Sequence, residues 1–392
     1  MIGDTARVTR SASADEYRDP ADDAKVGATI GVEEEFHVLD PTTGELVPEA
    51  LTLLANPTPG EHEPEAELLR SAIETATPVC RSLTEVRAEV VAARRALIKA
   101  AAEHDVAVAT AGTVPDSGVR PMGVFPKERY RQMAAEYQQL VREQAVCAFQ
   151  VQVGVPNRDL AVAVVSHLQP WLPVLLALSA SSPFFANTDT GYASYRTIVW
   201  SRWPTAGPVH GFRSAAEYDR TVDTLVGSGI ISDPGMVYFD ARPSARYPTV
   251  ELRITDGCPR VDDVVLLTGL GRALVVTAAN EIESGVAPVS ARPELLRAAD
   301  WRAARSGLHG ELFDPVVGTA VPASDAVRAL VEYVGPALDA NGDTDEVRIL
   351  LADLLARGTS ADRQREALGR RGTFGDVATL LIEETRGGVD ES

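Results

Sequence analysis

"ATIGVEEEFHVL", residues 28–39, decides how this chain is read. As an extended strand it sends Glu33 and Glu35 to one face and Val32, Glu34 and Phe36 to the other, because side chains alternate. Three adjacent carboxylates repel one another, and buried carboxylates are costly unless paired or bound to metal. The same alternation recurs downstream. In "QVQV" (150–153) Gln150 and Gln152 share a face opposite Val151 and Val153, and in "VELRI" (250–254) Glu251 and Arg253 share a face opposite Val250, Leu252 and Ile254.

Three strands therefore each carry a polar pair backed by apolar neighbours. Further strand-like runs lie at 66–79, 106–115 and 235–244, scattered between helices without regular β-α-β alternation. The expected class is α+β: a mainly antiparallel sheet packed by helices on one face and forming a carboxylate-lined cavity on the other. Several carboxylates in one cavity ionise together only with compensating cations. Hard oxygen ligands suit Mg2+ or Mn2+ rather than zinc, and magnesium implies phosphate chemistry. The chain has no G-x-x-x-x-G-K-[ST] loop and no H-E-x-x-H, and "GLGRAL" (269–274) sits inside a helical pattern.

Composition narrows the partners. The formal charge of −19, from 56 acidic and 37 basic residues, disfavours nucleic acid or an anionic membrane. Only Lys25, Lys99 and Lys127 are lysines, so a bound anion would be gripped mostly by arginine. Cys80, Cys147 and Cys258 are widely spaced and odd in number, which argues against a disulfide framework or a thiolate zinc site and fits a reduced cytoplasm. The acidic stretch 1–26 reads as a disordered tail and not a secretory signal. The apolar stretch 164–180 is interrupted by His167, Gln169, Pro170 and Pro173, and reads as a buried helix bent at its prolines.

Ser82 with Glu85, and Ser214 with Glu217, mark two helix starts. Helices are also expected over 128–145, 158–180, 262–284, 294–305, 324–338, 346–356 and 361–369. One domain from 27 to 384 is expected, followed by a flexible tail, 385–392. "SSPFFANTDTGYAS" (181–194) reads as a loop over the site, and His37 as a solvated residue on the Glu33/Glu35 face.

Taken in order, "GVEEEFHVLDPTTGEL", "ELLRSAIETATPVCRSL", "CAFQVQVGVPNRDLAV", "LQPWLPVLLALSASSPFFANTDTGYASYR", "DARPSARYPTVELRITD" and "WRAARSGLHGELFDP" resemble the glutamate–cysteine ligase type 2, or carboxylate–amine ligase, family over about residues 28–320. The resemblance implies a glutamine-synthetase-like (guanidino-kinase-like) fold and an ATP-dependent joining of a carboxylate, usually glutamate's, to an amine through an acyl phosphate. It places Glu33, Glu35, Glu67, Glu74 and Glu251 as ligands of Mg2+. Arg253 would neutralise the transferred phosphoryl group, and Arg242 and Arg196 would grip substrate carboxylate or phosphate. Gln150 and Gln152 fall at nucleotide-binding positions. Glu67 and Glu74 are seven apart, so a bulge, turn or helical stretch must intervene if both face the metals. Gln152 and Val114 stand where the family pattern is expected to have histidines, which points to a different substrate or reduced activity. The alternatives are a weakened nucleotide- or amino-acid-binding scaffold, or a metal-dependent hydrolase using the same carboxylates. Self-association as a homodimer is also expected from related folds.

Overall fold

Alternating side chains build one seven-stranded sheet in the computed structural model, which describes residues 25–55, 63–289 and 291–389. Most of the tail expected over 1–26 lies outside the described residues. The strands are β1 (Ile30–Leu39), β2 (Glu65–Ala66), β3 (Ala72–Ala76), β4 (Ala107–Ala109), β5 (Phe149–Gly154), β8 (Ala241–Pro243) and β9 (Thr249–Leu252). Two small hairpins stand apart, β6 (Phe184–Phe185) with β7 (Thr188–Asp189), and β10 (Glu311–Asp314) with β11 (Thr319–Pro322). The main sheet runs β2-β3-β1-β5-β9-β8, with β4 added beside β1, and its pairings are antiparallel.

Val32, Val151, Val153, Val250, Leu252 and Ile254 are all buried in a core shared with the helices. The helix Val261–Glu283 crosses this face closely because of its glycines. A Cβ on Gly271 would stand 2.8 Å from Leu252 Cδ1, and one on Gly269 would stand 2.7 Å from Val347 Cγ2. The glycines of "GLGRAL" thus serve packing. The helices Arg158–Leu168 and Leu172–Ser179 are joined by one 3-10 turn, Gln169–Trp171, where Pro170 cannot continue the α pattern. Residues Arg158–Ser179 are long and apolar enough to cross a membrane, and 83% of their most apolar window is buried inside the fold.

Both serine starts hold. Ser82 caps Leu83–Glu103 and Ser214 caps Ala215–Gly227, each accepting from the glutamate amide three residues on. The glutamate side chains reach past the caps, to Arg81 N at 2.7 Å and Arg213 N at 2.8 Å.

Several expectations are corrected. The strand expected over 66–79 is broken: β2 ends at Ala66, the chain turns, and β3 starts at Ala72. The helix expected over 128–145 splits into Glu128–Tyr137 and Gln139–Arg142, where Gln138 adopts φ +50°. The helix Phe374–Arg386 crosses the boundary expected at 384, and Val389 is buried, so residues 385–389 belong to the packed body. Thr385 is fully buried and accepts from Thr110 N through its hydroxyl.

Candidate active site

The acidic triplet is divided by the sheet. Glu34, on the helix-facing side, is 2% exposed and meets Arg94, which is wholly buried on the helix Leu83–Glu103. Arg94 donates through Nη2 at 2.6 Å and Nε at 3.1 Å to the two carboxylate oxygens, and its remaining protons reach the carbonyls of Cys258 and Pro259. This fork satisfies a carboxylate that would otherwise be a lone buried charge. Glu33 and Glu35 point the other way, as alternation requires.

Strand register brings the remaining candidates into rows on that opposite face. Glu35 lies across from Glu74, Glu33 from Gln150, Gln152 from Glu251, and Glu251 from Arg242. Glu67 comes from the turn between β2 and β3, an interruption of the kind needed if Glu67 and Glu74 are both to face the metals. Glu35 accepts from Ala148 N at 2.7 Å and from Gln150 Nε2 at 3.2 Å. Gln152 donates to Glu33 at 3.1 Å and accepts from Thr249 Oγ1 at 2.6 Å. Glu251 is gripped from both sides, by Arg242 at 2.9 and 3.2 Å and by Arg253, whose Nη1 also reaches Gln150 Oε1.

The electrostatics differ along the face. Burial, then the charge of Glu67, push the Glu35 carboxyl up to about 7. Burial first and then Glu67, Glu33 and Glu35 hold Glu74 well above the usual carboxylate range. Glu33 is raised by burial and by Glu251, and Glu67 by burial. Glu251 is opposite: burial opposes its charge, yet Arg253 and Arg242 outweigh it and bring the carboxyl down to about 2. Four carboxylates therefore lack full charge compensation from the protein, while the fifth is neutralised by arginine. Their oxygens, with the Gln150 and Gln152 amides, are the hard donor set of Mg2+ or Mn2+. Among the described residues no three His, Cys, Asp or Glu side chains are gathered so as to hold an ion, so the fit is of donor chemistry and not of preformed geometry.

The arginines play unequal parts. Arg253 and Arg242 line the face. Arg196, at the start of the helix Tyr195–Trp200, is 3% exposed and donates to the carbonyls of Ile254 and Arg253, both at 3.3 Å. It lies 4.0 Å from Asp256, a buried carboxylate that sequence spacing did not single out. Asp256 accepts from Ser181 N, Ser182 Oγ and Ser194 Oγ and so anchors the turn before Arg196.

Other placements correct the sequence reading. His37 is not solvated: it is 1% exposed, its Nε2 lies 3.2 Å from Ala111 O, and burial lowers it to about 4. Val114 is buried in an apolar cluster. The segment 181–194 contains the β6–β7 hairpin, whose turn residues Ala186 and Asn187 both have positive φ. Their amides are pinned to Ser117 O and Pro115 O.

Comparison with known proteins agrees with this architecture. Residues 29–385 match the glutamate-cysteine ligase family 2. Two relatives named "Putative glutamate--cysteine ligase 2-2" are from Frankia casuarinae (51% identical, covering 93% of this chain) and Frankia alni (47% identical, covering 91%). The chain spans 42% of the first protein's length and 97% of the second's. Among solved structures, the glutamate–cysteine ligase of Francisella tularensis in complex with AMP aligns with TM-score 0.68 at 12% identity, over 94% of this chain and 91% of that one. The bifunctional glutathione synthetase of Pasteurella multocida aligns with TM-score 0.67 at 15% identity, over 92% of this chain and 52% of that one. The fold is theirs, and by its sequence the chain belongs to the glutamate–cysteine ligase family 2.

Proposed function

We propose that this chain is an ATP-dependent carboxylate–amine ligase that activates a glutamate-like acid as an acyl phosphate and passes it to an amine. The observation that carries this reading is the polar sheet face, where Glu33, Glu35, Glu67 and Glu74 adjoin an arginine end made by Arg253 and Arg242. Glu33, Glu35, Glu67 and Glu74 would hold Mg2+, and Glu251 would join them only by releasing Arg242 and Arg253. When bound, the metal supplies charge compensation for the triphosphate. Gln150 positions Arg253 against the face through its carbonyl oxygen. Arg253 presents fixed guanidinium protons to charge developing on the transferred phosphoryl group. Catalysis of this kind is mainly orientation and electrostatic stabilisation.

Mass spectrometry of the full chain incubated with ATP, magnesium, L-glutamate and a panel of amines tests this. A condensed product with ADP release supports the reading, and product formation without ATP overturns it. A second reading is favoured by one observation: Gln152 and Val114 occupy positions expected for histidine, and Gln152 is already tied to Glu33 and Thr249. Neither residue can take up a proton near neutrality. Under that reading the protein binds Mg–ATP without amine-dependent phosphate release, which calorimetry followed by a phosphate assay distinguishes.

A further inference from the structure

Asp240 and Asp300 form an acidic pair that neither the metal set nor the arginine clamp uses. Arg253 N donates to Asp240 O at 2.8 Å, which extends the β8–β9 ladder by one step beyond Ala241↔Leu252. Asp240 therefore stands opposite Arg253 and, two residues from Arg242, shares the polar face. Sequence reading put Asp240 inside the strand-like run 235–244 without singling it out, because its partners lie on other elements. Asp300 is buried on the helix Pro293–Ser306 and hydrogen-bonds Asp240 through its side chain. The same helix offers Ala304 O to Ala193 N and Ser194 N, just before the Arg196 helix.

The charged groups facing Asp240 are Arg196 from that helix, Arg253 from its partner strand, and Asp300. Arg253 is committed to Glu251 and Gln150, and Arg196 to two carbonyls and to Asp256. The pair is thus the one acidic group on the arginine side of this face, among the described residues, with no cation in direct contact with it. A second feature beside it is unmatched: Arg196, 97% buried, has an Nε proton with no acceptor. A ligand carrying both an ammonium and an acceptor oxygen satisfies both.

We propose that Asp240, braced by Asp300, receives the ammonium group of the amine substrate and takes a proton from it before attack. This rests on the ligase reading above. Neighbouring strands lie about 4.8 Å apart, so a nitrogen held at Asp240 sits one strand from the guanidinium assigned to the phosphoryl group. One proton passes from R–NH3+ to the Asp240 carboxylate. The freed amine attacks the acyl carbon, the C–N bond forms, and the C–O bond breaks with its electron pair leaving on phosphate. The second nitrogen proton ends on phosphate, and Asp240 returns its own to water. Burial, opposed first by Arg196, places the Asp240 carboxyl at about 7, where a base works efficiently at neutral pH. Burial and then Asp240 raise the Asp300 carboxyl well above the usual carboxylate range, which suits it to be the donor of the pair.

The test compares two nucleophiles on the full chain with ATP, Mg2+ and L-glutamate: hydroxylamine, uncharged at neutral pH, and the amines of the panel, which arrive as ammonium. Asp240→Asn is expected to lower kcat/KM for the panel amine about 100-fold more than for hydroxylamine, the usual size of a general base's contribution. Asp300→Asn, which still donates, is expected to keep the wild-type pH profile. Asp300→Leu removes the hydrogen bond that favours the Asp240 carboxylate and is expected to move the acid limb to higher pH. Equal losses with both nucleophiles, or an unchanged acid limb in Asp300→Leu, overturn the proposal, as does a wild-type protein that makes hydroxamate but no amide. A wild-type protein that makes neither product overturns the ligase reading itself.

Discussion

Replacing Glu35 with glutamine is expected to stabilise the protein and inactivate it together. Burial and Glu67 raise this carboxyl from 4.5 to about 7. A raised carboxyl binds its proton more tightly when folded, so its favourable share is complete below 4.5 and is lost as pH rises through 7. At about 1.4 kcal/mol per tenfold, the ionised group costs the fold about 3 kcal/mol above pH 7 when no divalent cation is bound. Glutamine removes that cost and keeps an acceptor for Ala148 N. It leaves Gln150 Nε2 without its carboxylate acceptor, a loss of about 1 kcal/mol. The balance is about 2 kcal/mol in favour of the variant, or a melting temperature about 2–3 °C higher for a chain of this length. Thermal unfolding with EDTA at about pH 8 measures it, and the gain is expected to vanish or reverse at the acid end of the window, near the reference value of 4.5. ADP release is expected to be abolished. A gain that ignores pH refutes the electrostatic account, and near-normal turnover refutes the metal role of Glu35.

Arg94→Met leaves Glu34 buried without its fork and is expected to cost about 3–5 kcal/mol in urea unfolding; pairing it with Glu34→Gln is expected to recover part of that loss. Arg253→Lys keeps the charge but gives up the planar guanidinium, whose Nη1 reaches Glu251 and Gln150 while its other protons face the site, so ADP release is expected to fall about 100- to 1000-fold with nucleotide binding kept by calorimetry. Gln152→His introduces a group titrating near neutrality and is expected to change rate or amine preference about tenfold; no change in either measurement removes this position from the chemistry.

Strand period made the face legible. Glu33, Glu35, Gln150, Gln152, Glu251 and Arg253 could be sorted by parity alone, and register then joined them. Parity could also say that Glu34 points inward, but its partner Arg94 lies sixty residues away on a helix and leaves no local trace. Asp240 and Asp256 were hidden for the same reason, since one gains its meaning from Arg253 and Asp300 and the other from three serine-borne donors. His37 misled because its parity matches the polar face, while β4 pairs with that end of β1 and closes it off from water. The helix Phe374–Arg386 was missed because its polar end resembles a tail; its burial comes from Val377, Leu381 and Ile382 in an apolar cluster and from Thr385, which meets Thr110 and Arg94.

The order of strands also gives the face a direction. Read from β3 through β1, β5 and β9 to β8, its side chains run Glu74, then Glu33 and Glu35, then two glutamines, then Glu251 with Arg253, then Arg242. Four inter-strand steps of about 4.8 Å make a span of about 19 Å, acidic at one end and basic at the other, with neutral amides between. Each end is stabilised by what the other would repel. Divalent cations relieve the raised carboxylates of Glu35 and Glu74, whereas Glu251 is already satisfied by arginine and has little to gain from metal. Under the proposed function, a ligand with metal-bridged phosphates would have one favoured orientation, with Glu33, Glu35 and Glu74 holding the metal and Arg253 facing the transferable phosphoryl group. For Glu251 to join them as a ligand, Arg242 and Arg253 would both have to release it, so loss of Glu35 or Glu74 is expected to lower ligase turnover further than loss of Glu251.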